Sequence, residues 1–249
     1  MLVGSDVKLR PSQLNISAVV VNYNAGDFLN ECVDLLAPQV KEVFIVDNAS
    51  SDFSIENCEQ LNKQNSRVKF IQNGKNLGFA AACNIGFFHA SGDYILFLNP
   101  DCCLELGAVS SLMNVLKGDA EVGMVGGLLL NPDGTEQVGG RRAVPTPWRT
   151  LVRAFKLSGL SRRWPKLFFD YNLHLQPLPK RALEVEAISG ACMLTTREAI
   201  ENVGLWDEAY FLHCEDLDWC MRFRQKGWKI LFVPDAKIMH EQGVCGRSR

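Results

Sequence analysis

Tyr94-Ile95-Leu96-Phe97-Leu98-Asn99-Pro100-Asp101 is an apolar run broken by Asn-Pro, with a carboxylate just beyond the break. Its length and bulky side chains predict a buried strand, which the Asn-Pro pair ends. In open α/β sheets ligands bind in the crevice at the carboxyl ends of the strands, so Asp101 is well placed to hold a metal or a substrate. The competing reading is a plain strand-stopping turn, and the chain carries a control for it. Asn131-Pro132-Asp133 repeats the same three letters, followed by Gly134 and flanked by short apolar runs. Proline at the second position and glycine at the fourth make that copy a β-turn. The surroundings of Asp101, not its letters, have to distinguish the two.

Around this strand, short β-branched runs alternate with amphipathic segments. Ile16 to Val21, Val43 to Val46 and Val68 to Ile71 read as strands, and Phe28 to Leu36, Ser54 to Asn65 and Phe79 to Ala90 as helices. Leu104 to Lys117 reads as a further helix and Val122 to Gly127 as a short strand. This alternation predicts right-handed βαβ units and a mostly parallel sheet flanked by helices, an α/β fold.

The rhythm breaks at residues 140 to 183. Arg141, Arg142, Arg149, Arg153, Lys156, Arg162, Arg163, Lys166, Lys180 and Arg181 face a single acid, Asp170, and alternate with Trp148, Leu151, Phe155, Leu160, Trp164, Phe168 and Phe169. Such a basic, amphipathic helical insertion fits an element lying on an anionic membrane or a lid over an anionic ligand. An ordinary helical insertion with one core face is an equally weighted alternative. Beyond it, Ala187 to Leu194 restores a strand whose Ser189-Gly190-Ala191 is small enough for close approach to its backbone. Arg197 to Val203 and Glu215 to Lys226 read as helices, the second closed by Gly227. Ile230 to Val233 is the last predicted strand, and a Pro234-Asp235-Ala236 turn leads to His240.

Composition bounds the class. A net charge of −2 over 249 residues argues against bulk nucleic-acid binding. Nine cysteines with no C-x-x-C pair read as reduced thiols of a cytosolic compartment, not a zinc site or a disulfide framework. Met1 to Asn15 lacks the apolar core of a signal peptide, and no apolar run approaches the ~20 residues of a membrane span. The expectation is a soluble or peripheral protein.

Four acids sit at strand ends or helix starts. Asp47 closes the second strand in Val46-Asp47-Asn48-Ala49-Ser50-Ser51-Asp52, where it could accept hydrogen bonds from a ribose or a pyrimidine imide. An Asx-turn or helix cap is its equally weighted structural role. Asp101 is the metal candidate, and Asp93 the weaker neighbour because it precedes the strand. Glu215 and Asp216 open a helix, where the macrodipole favours acids whatever their function. Asp218 and Arg222 stand four apart, the offset of a surface ion pair, which leaves Asp216 on the other side to face a cleft as a general base. Of the four histidines, His240 follows the last strand near the sheet edge and is the candidate ligand, although a lone histidine more often packs. His213 beside the acids is the reserve; His89 and His174 carry no signal.

Taken in order, these pieces resemble the inverting family 2 glycosyltransferases of GT-A fold, most of all bacterial rhamnosyltransferases. The matching residues are Val19-Val20-Val21-Asn22-Tyr23-Asn24, Val46-Asp47-Asn48-Ala49-Ser50-Ser51-Asp52, Asn76-Leu77-Gly78-Phe79-Ala80-Ala81-Ala82-Cys83-Asn84-Ile85-Gly86 and Leu98-Asn99-Pro100-Asp101. Ser189-Gly190-Ala191-Cys192-Met193, Phe211 to Arg222 around Glu215-Asp216, and His240 complete the set, which spans nearly the whole chain.

The resemblance implies one GT-A domain over 1–249, with a nucleotide-binding half over about 14–130 and an acceptor and catalytic half over about 131–249. Tyr23, Asn24 and Asp47 would line the nucleoside pocket, Asp47 reading a uracil or thymine, with Asn76 and Gly78 along the ribose and diphosphate and Asn99 beside the donor. Asp101 would be the last acid of the family's D-x-D motif and, with His240, bind Mg²⁺ or Mn²⁺. Asp216 would be the base, with Glu215 and Gly190 on the acceptor side. The departure is Asn99, where the fuller motif carries an acid. The implied reaction moves a sugar, best L-rhamnose from a dTDP donor, to a saccharide or lipid-linked saccharide in cell-surface polysaccharide synthesis. The implied place is the cytoplasm, with peripheral contact at the cytoplasmic face of the inner membrane.

Three rivals share parts of the pattern. A Rossmann dehydrogenase needs G-x-G-x-x-G after the first strand, where this chain has Asn22-Tyr23-Asn24-Ala25-Gly26. A sugar nucleotidyltransferase would carry a glycine-rich basic loop there. A catalytically degenerate GT-A domain that binds a nucleotide sugar or a partner without turnover is favoured by Asn99 and opposed by Glu215-Asp216.

Overall fold

The computed structural model of the chain describes residues 15–241 apart from 165, 166, 169 and 170. The stretch before Asn15, Lys166, Phe169 and Asp170 of the basic segment, the side chain of Arg162 and the tail beyond Glu241 lie outside the described residues.

The opening stretch forms β4 (Tyr94–Leu98) at the middle of a nine-stranded sheet. On one side lie β1 (Ile16–Asn22), β2 (Glu42–Asp47) and β3 (Val68–Gln72), all parallel to it. The letters of β1, β2 and β4 read as near-continuous apolar runs because both sheet faces are buried there, while β3 at the edge is partly exposed. Ile16, Ala18 and Val20, with Leu96 and Leu98, enter one core under α1 (Phe28–Leu36), α2 (Ser54–Gln64) and α4 (Ala108–Gly118). Val19 and Val21, with Ile95 and Phe97, enter the other under α3 (Phe79–His89), α6 (Arg197–Val203) and α7 (Glu215–Gln225). α3 approaches the sheet at Gly86, where a Cβ would lie 2.3 Å from Val19 Cγ1.

The second half of the sheet is mixed. β10 (Cys192–Thr196) pairs antiparallel with both β4 and β6 (Val122–Leu130), and β6 runs parallel to β11 (Lys229–His240). The apolar run 187–194 is two strands, because Ser189-Gly190-Ala191 breaks it between β9 (Ala187–Ile188) and β10. The expected helix from Leu104 starts later. Cys102–Leu104 is instead strand β5, paired with the end of β11, and Gly107 in a left-handed conformation (φ 93°) separates it from α4. The expected turn at Pro234-Asp235-Ala236 is a bulge inside β11, where pairing with β6 shifts register between Val233 and Lys237. β11 therefore runs on to His240 and sets it directly opposite Cys102.

The insertion carries β7 (Arg141–Arg142), paired with β9, then α5 (Pro147–Ala154) and short 3-10 turns. β8 (Leu183–Glu184) returns to pair with β11. The basic character largely resolves into local partners: Arg141 pairs with Glu136, Arg142 with Asp216 and Arg149 with Glu186, while Arg153 lies over Tyr171 and Arg163 over Trp164. All three acids come from outside the segment, which is why its own letters look so basic. Trp148, Leu151, Phe155 and Trp164 remain exposed. Among the described residues no helix is long and apolar enough to cross a membrane.

Gly86→Val forces a branched side chain against Val19 at the closest helix–sheet contact. Overpacking of this kind costs about 1–3 kcal/mol, so the urea midpoint falls; an unchanged midpoint would contradict this packing.

Candidate functional site

A cleft of about 440 Å³ opens at the carboxyl ends of β1, β2 and β4. Tyr23, Asn48, Asn76, Gly78, Asn99 and Pro100 line it, with Phe211 and Leu212 at its edge. The Asn76 side chain accepts a hydrogen bond from the Gly78 amide at 2.9 Å, which turns the chain into α3. Gly78 has φ 88°, and a Cβ there would sit 2.6 Å from the Phe211 carbonyl. Only glycine permits that crossing, which joins the Asn76 end of the cleft to the loop before α7.

Asp47 and Asn24 lie behind this wall. Asp47 is fully buried, and its carboxylate accepts from Asn22 Nδ2 at 2.7 Å, Ser50 Oγ at 2.6 Å and the Ser50 amide at 3.1 Å. It thus takes the turn-stabilising role, and the next residue, Asn48, reaches the cleft instead. Asn24, at φ 53°, accepts from the Ser51 amide at 2.8 Å and clamps the same two loops.

At the other end, the β5–β11 pairing brings two buried groups together. His240 Nε2 lies 3.2 Å from Asp101 Oδ1, and neither residue is more than 6% exposed. The contact lacks hydrogen-bond geometry, and Asp101 Oδ1 is a buried oxygen without a hydrogen-bond partner. A bare carboxylate oxygen facing a ring nitrogen is a donor set that a divalent cation such as Mn²⁺ satisfies. Cys102 stands close by, but its thiol donates to the Ala191 carbonyl, and burial together with the Asp101 charge pushes its pKa up. Its sulfur and the ligand atoms of Asp101 and His240 form one buried group within 4.8 Å of one another.

The paired acids of α7 occupy different environments. Asp216 Oδ2 accepts the Gly190 amide at 2.9 Å and Arg142 at 2.5 Å, while no described residue hydrogen-bonds to Oδ1. Gly190 therefore acts as a tether for Asp216, and a Cβ there would lie 3.2 Å from the Asp216 Cβ. Glu215 is buried with Oε2 unpartnered, and burial, reinforced by the Asp216 charge, raises its pKa. Asp218 pairs with Arg222 at 2.8 Å, as the four-residue spacing predicts. His213 is exposed at φ 73°, and Asp93 accepts from Asn15 away from the cleft.

One loop joins the two ends. The Ala191 carbonyl accepts from the Asn99 amide at 2.9 Å as well as from Cys102, and the adjacent Gly190 amide holds Asp216. Sequence reasoning missed Asn48, Arg142 and the Phe211-Leu212 edge. Arg142 carries no local signal for its role, because its partner lies 74 residues away.

Residues 17–204 match the family described as Glycosyl transferase family 2. Over 241 residues the chain is 26% identical to the N-acetylglucosaminyl-diphospho-decaprenol L-rhamnosyltransferase of Mycobacterium tuberculosis (strain CDC 1551 / Oshkosh), covering 91% of this chain and 76% of that protein. It superposes on GalNAc-T7 in complex with UDP, GalNAc and Mn²⁺ with a TM-score of 0.68 at 18% identity, over 91% of this chain and 44% of that one. The mannosyltransferase PcManGT of Pyrobaculum calidifontis, in complex with GDP-Man and Mn²⁺, gives 0.64 at 16% identity, over 96% and 61%. These structures share the GT-A fold with this chain.

Asp47→Ala strands Asn22 and Ser50 in a buried site, where each unsatisfied group costs about 1–3 kcal/mol. The urea midpoint of Asp47→Ala is expected to fall well below the parent's. A midpoint matching the parent's would mean that the carboxylate is not part of the buried scaffold.

Proposed function

This chain belongs to glycosyl transferase family 2, and from that membership and the geometry of its site we propose that it transfers a sugar, with inversion, from a nucleotide diphosphate donor to a saccharide or lipid-linked saccharide hydroxyl. The observation that carries the proposal is Asp216: both tethers fall on one carboxylate oxygen, and the other is left for a ligand.

In this reading Tyr23, Asn48, Asn76 and Gly78 cradle the nucleoside, while Asp47 and Asn24 hold the loops that shape its pocket. Asn99 and Asp101 face the diphosphate end, and Asp101 with His240 holds Mg²⁺ or Mn²⁺. A divalent cation there stabilises the charge that develops on the departing diphosphate. The acceptor oxygen bonds to the anomeric carbon as its proton passes to Asp216 Oδ1, and the bond to the diphosphate breaks with its electron pair leaving on the phosphate oxygen. A single displacement of this kind inverts the anomeric centre. Gly190 and Arg142 fix the Asp216 carboxylate for that transfer, a positioning that holds the reacting atoms near their attack geometry. Glu215, buried and unpartnered beside it, lies where an acceptor hydroxyl could be held.

L-rhamnose from dTDP is the favoured donor and cell-surface polysaccharide synthesis the favoured setting, supported by the name of the 26% identical relative. That relative's diphospho-decaprenol acceptor also supports a lipid-linked acceptor, reached from the cytoplasmic side. The exposed Trp148, Leu151, Phe155 and Trp164 support peripheral contact with a membrane. The second reading, a GT-A domain that binds without turnover, is favoured by Arg142 occupying the candidate base and by Asn99 in place of an acid.

Asp216→Asn separates the two. General-base removal lowers transfer about 10²- to 10⁴-fold, while the thermal shift produced by dTDP with Mn²⁺ stays at the parent's value. Equal transfer rates in variant and parent would overturn the base assignment. No transfer from any nucleotide sugar by the parent, with binding intact, would favour the non-turnover reading.

A further inference from the structure

The repeated Asn-Pro-Asp turn returns to the site from an unexpected side. Asn131 to Thr135 closes a tight hairpin after β6, with the Gly134 amide donating to the Asn131 carbonyl at 2.8 Å and Gly134 at φ 80°. Its side chains begin a directional chain of hydrogen bonds. Asp133 Oδ1 accepts from the Thr135 hydroxyl at 2.6 Å and from the Thr135 amide at 2.9 Å. These bonds hold the Asp133 carboxyl below its ordinary range, so at neutral pH it only accepts.

Each later step is then forced. Thr135 has given its one hydroxyl proton to Asp133, so toward Asn131 it can only accept, and Asn131 Nδ2 donates to it at 2.9 Å. The Asn131 oxygen therefore faces Gln137, whose Nε2 donates both to it and to the His240 carbonyl, each at 3.2 Å. That consumes the two amide hydrogens and turns Gln137 Oε1 toward His240 Nδ1, 2.6 Å away. An amide oxygen accepts only, so Nδ1 carries the hydrogen. Gln137 is 3% and His240 6% exposed, so water does not offer the ring an easy substitute partner.

We propose that Gln137, oriented by the Asn131-Thr135-Asp133 turn, is the positioning residue that sets His240 as the Nδ1–H tautomer and aims a bare Nε2, beside Asp101, at a divalent cation. The inference rests on the reading of Asp101 and His240 as the cation site. Partners of this kind fix ring tautomer and orientation, and their loss typically lowers metal affinity about 10- to 100-fold. The bare Nε2 also explains why the 3.2 Å approach to Asp101 is not a hydrogen bond: two acceptors face one another and need a shared cation.

The test uses the full chain and Mn²⁺ alone. Gln137→Met keeps the length of the side chain and removes the acceptor, whereas Gln137→Glu keeps an acceptor at Nδ1. Mn²⁺ titrations followed by electron paramagnetic resonance are expected to show an affinity about 10- to 100-fold weaker for Gln137→Met and close to the parent's for Gln137→Glu. Nitrogen-15 NMR of the neutral His240 ring in the parent is expected to show hydrogen on Nδ1 and none on Nε2, a readout that does not depend on how any variant folds. Equal Mn²⁺ affinity in Gln137→Met and the parent, or a parent ring with its hydrogen on Nε2, would overturn the proposal. A parent with the Nδ1–H ring that binds no Mn²⁺ would instead remove the cation reading beneath it.

Discussion

The antiparallel entry of β10 between β4 and β6 is the constraint on which the site depends. A parallel α/β sheet alone would open a cleft at the ends of β1, β2 and β4, with no acid from the second half of the chain nearby. Running β10 the other way brings the Ser189-Gly190-Ala191 loop down onto Asn99. The Ala191 carbonyl then binds the turn that carries Asp101, and the Gly190 amide binds Asp216. Packing reinforces the link: Phe97 of β4 meets Trp219 of α7 edge-on at 5.6 Å, and Trp219 stacks on Trp206 at 4.2 Å. The helix presenting Asp216 is thus seated on the strand that leads into the Asp101 turn.

Much of the fold was legible in the letters, for a physical reason. Parallel strands buried on both faces read as uninterrupted apolar runs, and Ile16–Asn22, Glu42–Asp47 and Tyr94–Leu98 stand out for that reason. α1 and α6 fell where the apolar spacing put them. The second half was harder. A strand's letters do not encode the direction of its partner, so the reversal of β10 was invisible. Pro234 suggested an end to β11, but a bulge absorbs the missing donor and the strand continues to His240.

Asp101, Asp216 and His240 drew attention in the sequence because carboxylates and a histidine just beyond a strand, at a helix start and at a strand end suit metal and proton chemistry. The site was less legible where a contact spans the chain. Asp47, expected either in the nucleoside pocket or in a turn, is buried in the loop scaffold, while Asn48 just beyond β2 lines the cleft. Arg142, bonded to Asp216, and Gln137, in contact with His240 Nδ1, lie 74 and 103 residues from those partners, and neither carries a local signal. Asn131-Pro132-Asp133 reads correctly as a turn, and its Asn131 side chain also accepts from Gln137, which contacts His240.

The central claim is that Asp101 and His240 form one cation site at the end of β4, beside the bound diphosphate. An anomalous difference map from crystals of the protein soaked with dTDP and Mn²⁺ tests it most directly. The account predicts a manganese peak between Asp101 Oδ1 and His240 Nε2, touching the nucleotide's phosphates. A well-ordered nucleotide in the cleft with no manganese peak at that position would contradict it.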